Sequence, residues 1–220
     1  MTTDDRRELR SFGRRRGRKP SPRQADLLRD DLPRFGFDVA EFSDGGTAWL
    51  EIGFGGGEHL LWQARNNPGV RILGCEPYED GVIKVLSAVT DGALENVRIH
   101  MGDVRDVLRQ LPQASLDRAF ILFPDPWPKR KHRKRRLVNP ALLDLLAHAL
   151  KPGAELRLAT DIGDYARTML ESFRDEARFL WQAESPEDWR VRPDDWPGTR
   201  YEAKAEDAGR RRYYFRFVKI

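Results

Sequence analysis

Cysteine is almost missing: Cys75 stands alone among 220 residues. A single cysteine excludes an intrachain disulfide and fits a reducing compartment such as the cytoplasm. Long apolar runs are missing too, and none approaches the roughly 20 residues that span a bilayer. The start, Met1-Thr2-Thr3-Asp4-Asp5-Arg6-Arg7, has no apolar stretch behind it, which speaks against a secretory signal. Histidine is sparse, and His59, His100, His132 and His148 are scattered, so no His or Cys arrangement offers a general base or a metal centre. No internal repeat or separate second domain is visible. The expectation is a cytoplasmic protein with one folded domain and no membrane partner.

What is abundant is charge. Charged residues make up 34% of the chain against 40% hydrophobic, and the net charge of +4 conceals strong clustering at a sequence pI near 9.3. Clustered positive charge attracts phosphates where a scattered excess does not. Arg6, Arg7, Arg10, Arg14, Arg15, Arg16, Arg18, Lys19 and Arg23 have few apolar neighbours. They define a basic arm over residues 1–40, partly flexible until RNA orders it, with Pro20, Pro22 and Pro33 marking irregular backbone. Residues 41–220 form the folded domain.

From Thr47 onward the pattern alternates. Apolar strand-like runs at 47–52, 70–75, 97–101, 116–123, 155–160, 179–181 and 213–218 are separated by stretches with helical apolar spacing, such as Val82, Val85, Leu86 and Val89. Asn139-Pro140 reads as a helix start and Lys151-Pro152-Gly153 as a stop. This predicts an α/β fold with a mostly parallel seven-stranded sheet and helices on both faces. Ligands of such sheets bind beyond the carboxyl ends of the strands, where the winding reverses. Acidic residues mark five of those ends: Glu51, Glu76, Asp103, Asp125 and Asp161.

Glu51-Ile52-Gly53-Phe54-Gly55-Gly56-Gly57 closes the first strand. It misses the dinucleotide fingerprint G-x-G-x-x-G, because position 58 is Glu. Glu51 at the mouth would also repel a diphosphate, which argues against a nicotinamide cofactor. A ligand joining a nucleoside to a positive centre suits the loop better, and S-adenosylmethionine has adenosine, a sulfonium and an α-ammonium. Glu76, 23 residues past Gly53, is placed for the ribose hydroxyls, and Asp103 for the adenine edge.

The other informative stretch runs from Phe120 to Arg136. An apolar strand stops at Pro124-Asp125-Pro126-Trp127-Pro128, and eight consecutive basic residues follow from Lys129. A carboxylate and an indole at a strand end suit a planar group, and the basic run suits a polyanion.

Together these motifs resemble the bacterial tRNA (guanine-N7)-methyltransferase family. The matching pieces are Leu50-Glu51-Ile52-Gly53-Phe54-Gly55, Phe123-Pro124-Asp125-Pro126-Trp127-Pro128-Lys129, Thr160-Asp161, Thr199-Arg200-Tyr201-Glu202 and Arg10-Ser11-Phe12-Gly13-Arg14-Arg15. The resemblance implies a Rossmann-like class I methyltransferase fold with S-adenosyl-L-methionine as donor. The acceptor it implies is the variable-loop guanine, position 46, of tRNA. It assigns cofactor contacts to Glu51, Gly53, Gly55, Glu76, Asp103 and Asp125. Substrate contacts fall to Lys129, Asp161, Thr199, Arg200, Tyr201 and Glu202. RNA contacts are expected at Lys131, His132, Arg133, Lys134, Arg135 and Arg136. Two positions depart from the pattern: Tyr201 stands where Phe is usual, and Pro77-Tyr78 follows Glu76 in place of a Val/Ile-His-type pair. The expected assembly is a monomer or homodimer.

Guanine N7 has a free lone pair, so its methylation requires no base. Asp125 is therefore expected to act by charge and by hydrogen bonding, with Asp161 as its partner. Trp127 has two readings, a base-stacking ring or a packed loop residue. Without the resemblance, Thr199–Glu202 reads as a loop entering a strand. Two rival functions differ in class. An exocyclic-amine methyltransferase favours Asp/Asn-Pro-Pro-aromatic, whereas here a proline flanks Asp125 on each side. A non-catalytic RNA-binding module would have no use for the four carboxylates Glu51, Glu76, Asp103 and Asp125.

Overall fold

Strand β1 (Ala48–Ile52) is the centre of the molecule, with all five residues buried. It pairs in parallel with β2 (Arg71–Cys75) on one side and β4 (Leu116–Leu122) on the other. A strand covered on both faces has no solvent side, which is why it is apolar at every position except Glu51. The computed structural model describes residues 13, 15–17 and 19–220. The sheet order is β3-β2-β1-β4-β5-β7-β6, with β3 (Val97–His100), β5 (Leu150–Thr160), β6 (Phe179–Trp181) and β7 (Tyr213–Lys219). Only β7 runs against its neighbours, antiparallel to both β5 and β6.

The helices in chain order are α1 (Pro22–Asp26), α2 (Leu32–Arg34), α3 (Glu58–Asn66), α4 (Glu79–Asp91), α5 (Val104–Leu108), α6 (Pro140–Ala149), α7 (Gly163–Phe173), α8 (Glu187–Arg190) and α9 (Arg200–Asp207). In α4, Val82, Val85, Leu86 and Val89 are completely buried in one of two core clusters. At about 1.5–3 kcal/mol for each such side chain, this stripe holds the helix to the sheet. Asn139 caps α6 as the sequence indicates, its side chain accepting from the Leu142 N–H.

Part of the stretch expected as an arm over residues 1–40 is folded. Residues 21–42 pack on the body, with Leu27, Phe35 and Phe42 buried and the Ile99 N–H donating to the Phe35 carbonyl at 2.8 Å. The prolines here shape helix rather than breaking it. Pro22 sits in the first turn of α1 under a Ser21–Gln24 capping box. Pro33 has no N–H to donate, and the turn ahead of it, Leu27–Asp31, widens to a π-helix. The expected basic residues Arg6, Arg7, Arg10, Arg14 and Arg18 lie outside the described residues.

One feature of the sheet positions the site. Ile52 is level with Cys75 and with Ile121 in the register of the two central pairings. The glycine loop, Glu76 and the Pro124–Trp127 loop therefore emerge side by side, at the point where the strand order reverses.

Candidate active site at the strand ends

A cleft of about 390 Å³ opens there, with Gly53, Gly55, Glu76, Tyr78, Asp125 and Tyr201 among its walls. Its floor is apolar, formed by Ile52, Cys75, Val104 and Leu122. The size and polarity match a site for a small ligand fixed by a few polar groups.

Glu76 is the best-organised of these groups. It is 8% exposed, and its two oxygens accept from the Tyr78 N–H at 2.9 Å and the Gly55 N–H at 2.8 Å. A carboxylate has about four lone-pair sites, so acceptor capacity remains for a vicinal diol. Burial raises its pKa, the two N–H donors partly oppose this, and the charges of Asp125 and Glu51 add to the rise. Affinity for a ribose should therefore be full above this raised value and decline as pH falls through it. The decline begins at a higher pH than an ordinary glutamate would give. Calorimetric titration of S-adenosylmethionine down a pH series tests this; Glu76→Gln should bind weakly at every pH and lose the acid-side decline.

The glycine loop depends on close backbone approach. Gly55 has φ +55°, and a Cβ on Gly81, in the first turn of α4, would lie 2.3 Å from the Gly55 carbonyl oxygen. The absence of that Cβ lets α4 press the loop against Glu76. A cradle of this form, a buried diol acceptor and an apolar floor for a ring fit S-adenosylmethionine.

Asp125 stands exposed at the cleft mouth, on a loop bracketed by left-handed residues at Phe123 (φ +50°) and Trp127 (φ +42°). Such conformations cost about 1–3 kcal/mol each for non-glycine residues and persist only where surroundings impose them. The Phe123 N–H donates to the Ala159 carbonyl at 2.8 Å. Beyond Trp127, residues Arg130–Arg135 form a 3-10 turn without buried side chains. Arg135 lies 5.0 Å from the Trp127 ring centroid and His132 meets the same ring edge-on at 5.8 Å. Trp127 thus packs against the basic turn. Desolvation, and then the charges of Arg135, Lys131 and Lys129, lower the pKa of His132. Lys129, Lys131 and Lys134 are exposed, and Arg133 pairs with Asp164 at 2.8 Å.

Arg136 departs from the expected RNA contact set. It is 2% exposed, and its guanidinium donates to the Pro126 carbonyl and to Asp164 and Thr168 on α7. Protein partners occupy it, so the outward basic track is residues 129–135.

The remaining expected residues divide by partner. Glu51 is 3% exposed and does not line the cleft, because its Oε2 meets His59 Nδ1 at 2.7 Å. Gln63 Nε2 lies 3.1 Å from His59 Nε2 and donates to the Asp195 carbonyl, so Nδ1 of His59 is the donor to Glu51. Asp103 caps α5 by accepting from the Arg105 N–H, and it also takes the Arg105 guanidinium at 3.0 Å. Asp161 pairs with Arg210 at 2.6 Å. Thr199 and Glu202 form the capping box of α9, so this segment opens a helix and is not a loop entering a strand. Glu202 also accepts from the buried Tyr214 hydroxyl at 2.7 Å. Of this motif, Arg200 and Tyr201 face the glycine loop: a Cβ on Gly55 would lie 3.3 Å from the Tyr201 hydroxyl, and Arg200 pairs with Glu58 at 3.2 Å. Nothing local in the sequence marks the partnerships of His59 with Glu51 and Arg105 with Asp103, or the inward turn of Arg136. The Thr-x-x-Glu spacing of the α9 cap was a readable signal.

Known proteins share the sequence and the fold of this chain. The family described as "Putative methyltransferase" matches residues 46–215. A tRNA (guanine-N(7)-)-methyltransferase of Ruegeria pomeroyi is 46% identical, covering 100% of this chain and 98% of that protein. One of Hyphomonas neptunium is 47% identical, covering 89% of this chain and 93% of that protein. Among solved structures, an rRNA methylase from Streptococcus thermophilus superposes with TM-score 0.53 at 12% identity, over 83% of this chain and 92% of that one. The 16S rRNA methyltransferase KamB gives 0.56 at 16%, over 84% and 95%. These two likenesses establish the Rossmann-like class I methyltransferase fold, and the sequence matches establish a methyltransferase that uses S-adenosyl-L-methionine. The chain belongs to the tRNA (guanine-N7)-methyltransferase family.

Proposed function

We propose that this enzyme methylates N7 of the variable-loop guanine, position 46, of tRNA, working in the cytoplasm as a monomer or homodimer. The observation that carries this reading is continuity. The exposed Asp125 carboxylate at the cleft mouth and the basic turn from Arg130 to Arg135 lie on one short stretch of chain. A base presented to the cleft therefore has its phosphates beside the turn. Among the described residues, no helix is long and apolar enough to cross a membrane.

S-adenosylmethionine, when bound, supplies an electrophilic methyl group that the guanine N7 lone pair can accept directly. Glu76 holds the ribose, Gly53 and Gly55 leave room for the backbone to approach, and the apolar floor takes the adenine. Glu51 and Asp103 contribute from behind His59 and Arg105 as fixed charges and through backbone. Asp125 accepts from the guanine N1–H and exocyclic amine, which adenine cannot match, and its charge stabilises the purine as it becomes cationic. Asp161 joins it by exchanging Arg210 for the base. Arg200 and Tyr201 close the side of the cleft over the glycine loop. The enzyme's work is alignment and charge, and no proton is removed before transfer.

Phosphate contacts release counterions, so affinity falls with salt. Replacing Lys131 and Lys134 with alanine should weaken tRNA binding and make the log–log salt dependence shallower by about one unit for each charge removed. Filter binding over a salt series measures it; an unchanged slope would remove the turn from the interface. The reaction itself is tested by incubating unmodified tRNA with labelled S-adenosylmethionine and digesting to nucleosides. N7-methylguanosine from position 46 is the expected product. An N-methylated exocyclic amine, or no transfer, would overturn the assignment.

A further inference from the structure

Arg136 is the last of eight consecutive basic residues, yet it points inward. The loop it reaches is poor in anchors, because Pro124, Pro126 and Pro128 have no N–H to donate. Arg136 Nε donates to the Pro126 carbonyl at 3.0 Å, immediately after Asp125. Its Nη1 donates to the Asp164 carbonyl at 3.2 Å and to the Thr168 hydroxyl, and its Nη2 to the Asp164 carboxylate. The guanidinium also lies 4.8 Å from the ring centroid of Tyr165, which is completely buried and accepts from the Val138 N–H. One planar fork thus ties the loop to the first turns of α7, and α7 is held to the core by Tyr165, Ala166, Met169 and Phe173.

We infer that Arg136 is the positioning residue for Asp125: it fixes the carboxylate at the cleft mouth and does not contact RNA. This rests on Asp125 acting at the reacting base. The left-handed backbone at Phe123 and Trp127 makes the anchor necessary, since a loop in that conformation relaxes when released. Lysine cannot substitute, because a single ammonium cannot reach the Pro126 carbonyl and the two α7 residues with the geometry of the fork.

The test compares Arg136→Lys, Asp125→Asn and the double variant in the full-length enzyme. Readouts are single-turnover methyl transfer at saturating tRNA, the KM for tRNA, and S-adenosylmethionine affinity by calorimetry. Arg136→Lys should lower the transfer rate about 100-fold, as misplacement by about 1 Å does. Cofactor affinity and the KM for tRNA should stay within about threefold. Added to Asp125→Asn, it should cost little more, since both changes act through one carboxylate. Losses that multiply, a normal rate, or a raised KM with normal rate would each overturn the inference. A near-normal rate in Asp125→Asn alone would overturn the reading of Asp125 as well. If Arg136→Lys does not fold, Thr168→Val removes one acceptor of the fork at a half-exposed position. It should slow transfer several-fold with an unchanged KM for tRNA; an unchanged rate would overturn the inference.

Discussion

Asp125→Asn is expected to slow methyl transfer by about 10²–10³-fold, the range seen when one group that stabilises developing charge is removed. The fold should be unaffected, because Asp125 is exposed. Cofactor affinity should change only a few-fold, because the ribose contacts are proposed for Glu76 and an Asn carbonyl still accepts hydrogen bonds. What asparagine lacks is the charge that faces the purine as it becomes cationic, and the second acceptor that pairs with guanine. The loss should therefore appear in single-turnover rate at saturating tRNA and cofactor. A rate near that of the unaltered enzyme would sink the role assigned to this residue.

Gly81→Ala is expected to weaken S-adenosylmethionine binding at least tenfold and to lower Tm by several degrees. Helix propensity alone predicts the opposite, since alanine in a helix is favoured over glycine by about 1 kcal/mol. The clash decides the sign. The new Cβ would sit 2.3 Å from the Gly55 carbonyl oxygen, which is backbone and cannot rotate away, and 3.4 Å from Glu76 Cγ. Overpacking of this kind costs about 1–3 kcal/mol. Relief requires the glycine loop to shift, breaking the Gly55 N–H bond to Glu76. Gly69→Ala, where a Cβ meets open space, is the control and should be near neutral. Calorimetry and thermal unfolding of the pair measure both effects; normal cofactor affinity in Gly81→Ala would contradict the cradle geometry.

The strands and their order of appearance were legible because each carries a short apolar-rich stretch, from the fully buried β1 to the partly exposed β3 and β7. The 21–42 segment was not, since Pro20, Pro22 and Pro33 suggest irregular chain until the Ser21 cap and the π-helical turn are seen to absorb them. Helix α9 was missed for a different reason. Of its residues only Glu202 and Ala205 are buried, so it offers no apolar stripe, and its start rested on the Thr199–Glu202 cap alone.

The five acidic strand ends looked equivalent in sequence and are not. Glu76 and Asp125 face the cleft, while Glu51, Asp103 and Asp161 meet His59, Arg105 and Arg210. The partners of Arg136 show the same limit. Asp164 and Thr168 lie 28 and 32 residues further along, and nothing local in a basic run marks which member turns inward.

The central claim is that the reacting atom is N7 of one guanine held between Asp125 and the cofactor cleft. A tRNA carrying 7-deazaguanosine at position 46 tests this most directly, because carbon replaces N7 while the Watson–Crick edge is unchanged. Binding close to that of normal tRNA and no methyl transfer are the expected results. Transfer to that tRNA at a normal rate would contradict the claim.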